Sequence, residues 1–225
     1  MQSYDYAKRT GVDEISWVRF AQLAAELAEK LWPEGIEAVV GIARAGLFPA
    51  TAVACALPRD LHPIRITRRA NDQVAHIHPV WKVDVSPEVK GRVVAVIDEI
   101  ADTGETLALV AQRARERGAT RVITASLISH PRRGGMEYLS WAKPRPDLVA
   151  LVSDALVIFP WDGQVYTDGR WQLHPEMEQA LKLQAPQGND TPTLRRPDWT
   201  KLRPAQMTAA IRTALDPTKA PFCAF

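Results

Sequence analysis

Two clusters of residues in this sequence have the types and spacing to hold phosphate and sugar. In VVAVIDEIADTGET, Val93 to Thr106, five apolar residues run into Asp98-Glu99, and Ile100-Ala101 lead to Asp102-Thr103-Gly104-Glu105-Thr106. Paired carboxylates at the end of an apolar strand can be occupied by sugar hydroxyls or by a divalent cation, which takes hard oxygen ligands. The turn that follows opens a helix. Its backbone N–H groups and the Thr103 and Thr106 hydroxyls can point at one anion, and Gly104 lets the backbone approach closely. The same residues also fit a solvated strand end followed by an ordinary helix cap, where Asp and Thr are favoured.

A second strand-to-helix turn, GIARAGLFPA from Gly41 to Ala50, sets Arg44 among small residues. Ala43, Ala45 and Gly46 leave room for another phosphate to reach backbone N–H groups, and the Arg44 guanidinium adds a charged fork. Read alone, the stretch is equally a tight turn with an exposed arginine. Both clusters in one chain point to a phosphorylated sugar.

Such clusters need rigid elements behind them. Ser16 can cap a helix through Leu31, with Leu23, Leu27 and Leu31 spaced by four and Pro33 and Gly35 ending it. Ala38–Ala43 reads as a buried strand, Leu47–Leu57 as a helix with Pro49 in its first turn, and Pro63–Thr67 as a strand. Arg68–Gly91 reads as a loop or hairpin excursion that regains strand character near Val80–Val85. Then come a strand at Val93–Ile97, a helix at Glu105–Arg117, a strand at Arg121–Ile128 and short strands at Leu148–Val152 and Ala155–Phe159. This alternation implies an α/β protein with an open, twisted, mainly parallel sheet and helices on both faces. Ligands bind such sheets at the carboxyl ends of the strands, which is where both clusters fall.

VVAVIDEIADTGET resembles the phosphoribosyl pyrophosphate (PRPP) motif of type I phosphoribosyltransferases: apolar strand, two acids, two apolar residues, then Asp-Thr-Gly-x-Thr. GIARAG is similar to the family's pyrophosphate loop, and FPWD, Phe159 to Asp162, to the end of the base-covering hood in bacterial and archaeal purine members. The likeness covers roughly Ser16 to Asp162. It implies transfer of ribose 5-phosphate from PRPP to a base nitrogen through an oxocarbenium-like transition state, with Mg2+ as cofactor. Asp98 and Glu99 would then hold the ribose hydroxyls and the metal shell. Asp102 to Thr106 would cradle the 5-phosphate, with Thr103, Gly104 and Thr106 as the main contacts and Ala101 and Glu105 also in the substrate-binding set. Arg44, Ala45 and Gly46 would hold pyrophosphate, and Asp102 would be the general base. Residues 68–91 match a mobile loop that closes over the reaction centre, with Arg68, Arg69 and Lys82 as candidates for pyrophosphate contact.

The base pocket departs from the purine pattern. Where a lysine precedes a proline in the purine members, this chain has His130-Pro131, and a histidine's charge depends on pH. Where an aromatic stacks on the base, it has Leu156, followed by Val157. The implied acceptor is a purine. A non-purine acceptor, or a PRPP-sensing regulator whose nucleic-acid patch is Leu194–Arg203, stay open as alternatives, and Trp161 reads either as hood or as core.

Bulk properties agree with an enzyme of this kind. The chain has 225 residues, a formal net charge of +2 and 46% hydrophobic residues. Its basic residues are scattered, which argues against a nucleic-acid partner. Cys55 and Cys223 form no metal-ligand spacing, and no stretch has the roughly 18 consecutive apolar residues of a membrane span. The expectation is a cytoplasmic homo-oligomer, a dimer, with small-molecule substrates and no membrane. Residues 1–174 would form the catalytic domain, with a hood at about 148–170. Residues 175–225 would be a C-terminal extension with a Pro-rich connector and a short helix at Ala205–Leu215.

Overall fold

A computed structural model describes residue 9 and residues 11–67, 69–70, 73–74, 79–130 and 145–184. Arg68, the patch Leu194–Arg203 and the expected helix Ala205–Leu215 lie outside the described residues, as does the side chain of Arg69.

The chain begins with a short strand β1 (Val12–Glu14) and helix α1 (Trp17–Leu31). The Ser16 side chain accepts a 3.2 Å bond from the Arg19 N–H, satisfying one of the orphan donors of the first turn. Strand β2 (Ala38–Ile42) leads to helix α2 (Leu47–Ala56) and strand β3 (Asp60–Thr67). The excursion contains two-residue strands β4 (Arg69–Ala70) and β5 (Gln73–Val74) and returns along β6 (Val80–Val83). Then follow β7 (Val93–Ala101), α3 (Glu105–Glu116), β8 (Arg121–Ser129), β9 (Leu148–Val152) and β10 (Leu156–Ile158). A hairpin of β11 (Gln164–Thr167) and β12 (Arg170–Leu173) and helix α4 (Pro175–Gln184) complete the described chain.

Six strands form one sheet in the order β6-β3-β2-β7-β8-β9, parallel except for the edge strand β6. Period-two alternation divides its side chains between two cores. Val39, Ala95 and Ile97 pack with Phe20, Leu23 and Leu27 of α1 and Ala50 and Val53 of α2. Val40, Ile42, Val94 and Val96 pack on the other face with Leu107, Val110 and Ala111 of α3. Helices therefore cover both faces, as the alternating pattern implies. Leu27 and Leu31 are fully buried, and each contributes about 1.5–3 kcal/mol by leaving water.

Three elements were not anticipated from sequence. Strand β1 pairs in parallel with β10, Val12 opposite Leu156 and Glu14 opposite Ile158, so the N-terminal segment is built into the hood region. The β11–β12 hairpin carries the exposed Tyr166 and Trp171, whose rings meet edge to face at 5.4 Å. Helix α4 buries Met177 and Leu181, so packed structure continues beyond residue 174. Trp161 takes the core reading: it stacks on Phe48 at 4.1 Å and on Phe159 at 4.8 Å, and meets the edge of Phe20 at 5.2 Å. It thereby fastens the hood segment to the first turns of α1 and α2.

Past the excursion, Asp84 anchors the returning chain to α3. Arg113 grips its carboxylate with two bonds, Nε to Oδ1 at 2.9 Å and Nη2 to Oδ2 at 2.6 Å, and Arg117 Nη2 adds a third. The Arg113 hydrogen bond is the largest influence holding the Asp84 carboxyl well below the usual carboxylate range.

Candidate functional site

Strand β7 does not stop at Ile97, where its apolar run ends, but continues through Asp98-Glu99 to Ala101. The reason lies in its two neighbours. Pairing with β2 ends at Gly41 opposite Ile97, whereas pairing with β8 persists to Ala101 opposite Ser129. Beyond Ile97 the acids therefore sit on a strand hydrogen-bonded on one side, where β2 has already turned away into Ala43–Gly46. That gap is the crevice expected at the carboxyl ends of such strands.

The two sequence clusters meet in this crevice. A cleft of about 320 Å³ is lined by Ala43, Arg44 and Ala45 from the first turn and by Asp98, Glu99, Ile100 and Thr106 from the second. Ile42, Ile66, Thr67 and Pro79 complete its wall. Gly46 is buried, and a Cβ placed on it would lie 2.6 Å from Asp98 Oδ1 and 2.6 Å from the Ile42 carbonyl oxygen. Only glycine permits this close approach. The Ala43–Arg44 peptide bond is cis, and Arg44 is exposed at the cleft.

The turn after β7 is open to solvent at Asp102 and Thr103 and half-buried at Gly104, Glu105 and Thr106. Gly104 adopts φ 73°, a left-handed conformation that reverses the chain into α3 at little cost to glycine. Its carbonyl accepts the Ala108 N–H at 3.0 Å, and Thr103 Oγ1 accepts the Glu105 N–H at 3.4 Å. A 12-residue helix starting here directs its positive end and first-turn N–H groups toward the turn.

The carboxyls of Asp98 and Glu99 are both raised above their ordinary values. Withdrawal from water is the largest cause raising the Glu99 carboxyl well above its ordinary value, and the neighbouring Asp98 charge adds to it. Asp98 is raised as well, chiefly by burial, although its Oδ1 accepts the Glu99 N–H at 3.0 Å. Two adjacent acids facing the cleft offer oxygen ligands of the kind a divalent cation takes. Among the described residues no cluster of three or more His, Cys, Asp or Glu is placed to hold a metal. A cation here would need further oxygens from substrate or water, which is how Mg2+ is ordinarily bound.

The residues expected to meet the base are buried. His130 is 6% exposed, and its Nδ1 lies 2.5 Å from the Ser153 carbonyl oxygen. A carbonyl only accepts, so Nδ1 carries the proton and that donor is committed to the backbone. Burial is the main cause lowering the His130 pKa, which keeps the ring neutral. Leu156 is 1% exposed and Val157 7%, enclosed in the strand that pairs with β1. Neither presents an accessible face to a base in this conformation. Lys82 lies exposed on the edge strand β6 and is not part of the cleft wall.

One residue of this region was not singled out from sequence. Arg9 forms an ion pair with Asp102 across 93 positions of chain, with its side chain only 10% exposed. No periodicity or motif marks it in DYAKRTGVDE, and the signal that matters, the pairing of β1 with β10, is three residues long and tertiary in origin.

Residues 14–143 match the phosphoribosyl transferase domain. The xanthine-guanine phosphoribosyltransferase of Nitratidesulfovibrio vulgaris is 27% identical over 158 residues, covering 67% of this chain and 85% of that protein. The enzyme of the same description from Idiomarina loihiensis is 26% identical over 151 residues, covering 66% and 85%. Among solved structures, the purine phosphoribosyltransferase of Pyrococcus horikoshii aligns with a TM-score of 0.56 and 25% identity, over 68% of this chain and 94% of that one. No helix among the described residues is long and apolar enough to cross a membrane.

Proposed function

Because the chain belongs to the phosphoribosyl transferase domain family, we propose that it transfers ribose 5-phosphate from PRPP to a ring nitrogen of a purine base, releasing pyrophosphate. The observation that carries this reading is the junction of the two turns: Gly46 abuts Asp98, so a pyrophosphate held at Arg44–Gly46 lies beside carboxylates that can hold the ribose. The relatives of known activity, xanthine-guanine and purine phosphoribosyltransferases, support a purine as the acceptor and a role in purine salvage.

In this reading the Thr103 to Thr106 turn binds the 5-phosphate through helix N–H groups and the two threonine hydroxyls. Ala45 and Gly46 offer backbone N–H groups to the pyrophosphate, and Arg44 adds its charge. Asp98 and Glu99 orient the ribose hydroxyls and would hold Mg2+, which, when bound, neutralises charge on the departing pyrophosphate. The C1–oxygen bond to pyrophosphate breaks as the C1–nitrogen bond forms. Asp102, exposed beside the ribose subsite, accepts the proton lost by the base and places negative charge near the developing oxocarbenium.

The test is to incubate the protein with PRPP, Mg2+ and, separately, guanine, xanthine, hypoxanthine and adenine, and to identify the nucleotide formed. A nucleoside 5′-monophosphate is expected with at least one base. A protein that binds PRPP yet forms no nucleotide with any of them would overturn the proposal.

A further inference from the structure

Arg9 and Asp102 pair through Nη2 and Oδ1, and the two partners are held very differently. Asp102 follows the last residue of β7, Ala101, and precedes α3, which begins at Glu105. It stands in the turn between Ile100 and Thr106, both of which line the cleft, but it is not part of the cleft wall, and its side chain is 36% exposed. Arg9 is 10% exposed, and the segment that carries it is fastened to the hood. Gly11 O accepts the Leu156 N–H at 2.9 Å, Ile158 O accepts the Ile15 N–H at 2.9 Å, and β1 runs in register with β10 between them. Asp13, on the same segment, pairs with Arg19 of α1. An anchored arginine therefore meets a carboxylate that its own turn leaves open to water.

That asymmetry matters for a group that must take a proton. A general base works only in the rotamer that reaches its proton, and a misplacement of about 1 Å can cost about 100-fold in rate. A carboxylate has two oxygens, so a partner that takes one leaves the other able to accept. The guanidinium engages Oδ1, and among the described residues no hydrogen bond is made to Oδ2. His130 is close enough that both charges act on its ring, but its Nδ1–H is committed to Ser153 O. Arg9 is the side chain that the structure shows bonded to Asp102.

We propose that Arg9 is a positioning residue for the general base: anchored by β1, it pins Asp102 through Oδ1 and so presents Oδ2 to the N–H of the incoming base. The inference rests on the proposed role of Asp102 in transfer and gives the N-terminal segment a part in it. The proton passes from the base nitrogen to Oδ2 as the C1–nitrogen bond forms and the C1–oxygen bond to pyrophosphate breaks. Arg9 acts through Asp102 and needs no contact with substrate.

The experiment is a double-mutant cycle on the full chain: wild type, Arg9→Gln, Asp102→Asn and the double variant. For each, the single-turnover rate of nucleotide formation is measured at saturating PRPP, Mg2+ and hypoxanthine, together with the KM of the base and the Kd of PRPP. Arg9→Gln is expected to slow the single turnover about 10- to 100-fold while KM and Kd stay within about twofold of wild type. In the Asp102→Asn background the same substitution should change the rate by less than about twofold, because the group it positions is already disabled. Arg9→Met, which keeps the apolar stem, decides the matter in the same way if the glutamine variant does not fold. A full rate without Arg9, an equal loss in both backgrounds, or a loss confined to KM or Kd would overturn the positioning role while leaving the transferase reading intact. Absence of nucleotide with wild-type protein would overturn both.

Discussion

Gly46 and Asp98 touch: a Cβ on Gly46 would lie 2.6 Å from Asp98 Oδ1 and 3.0 Å from Asp98 Cα. The contact presses the expected pyrophosphate turn against the acids expected to hold the ribose, and because the obstructing atoms include backbone, neither side can yield cheaply. Gly46→Ala is expected to lower stability by about 1–3 kcal/mol, the usual cost of overpacking, and to weaken PRPP binding more than tenfold as Asp98 is displaced. Thermal melting and equilibrium binding check it, and a variant with wild-type values in both would count against the junction.

Thr106 lines the cleft in the first turn of α3, where its hydroxyl can donate to a bound phosphate. Thr106→Val keeps the shape and removes the hydrogen bond. The KM for PRPP should rise about 10- to 100-fold, as for loss of a hydrogen bond to a charged group, with melting temperature and KM for the base nearly unchanged. Steady-state kinetics with each substrate varied in turn will separate the two.

Asp102→Asn retains a side-chain oxygen for Arg9 to contact but cannot accept the proton of the base. It should fold and bind PRPP as wild type does, while kcat falls by about 10²- to 10⁴-fold. Near-full activity would remove Asp102 from its role as base.

Asp84 gives a pH prediction away from the cleft. Its carboxyl is held low in the folded protein, chiefly by the Arg113 hydrogen bond, so it binds fewer protons folded than unfolded below its ordinary pKa. The stability it contributes is complete above about pH 4, the unfolded carboxylate value, and is lost progressively as the pH falls below that toward the depressed folded value. Denaturation midpoints measured from pH 7 down to pH 2 should fall more steeply for wild type than for Asp84→Asn. Parallel curves would mean that the Asp84–Arg113–Arg117 cluster does not hold in solution.

The fold and the two turns that meet in the cleft were legible in the sequence because both rest on local pattern. Continuous apolar runs, the Ser16 cap and the glycine turns each constrain a few adjacent residues, and the strand-helix alternation then dictates a parallel sheet with its crevice at the strand ends. Even the exact end of β7 was beyond that logic, since it depends on which neighbour, β2 or β8, continues longer past Ile97. The residues expected on the acceptor side were legible only as a departure. His130 and Leu156 stand at the positions where the pattern calls for a lysine and an aromatic, but Leu156 is enclosed where β1 docks on β10, and His130 is held to Ser153 O where β8 and β9 end side by side. A three-residue strand carries too little periodicity to announce its partner, and an arginine near it is indistinguishable in sequence from a surface charge.

The central claim is that a phosphoribosyl group moves from PRPP to a purine in this cleft. Phosphorus NMR of the protein mixed with PRPP, Mg2+ and hypoxanthine tests it most directly. The account predicts that PRPP signals give way to free pyrophosphate and a nucleoside 5′-monophosphate in equal amounts, with an equal quantity of base consumed. Persistence of PRPP, or its conversion to pyrophosphate and ribose 5-phosphate with the base untouched, would contradict it.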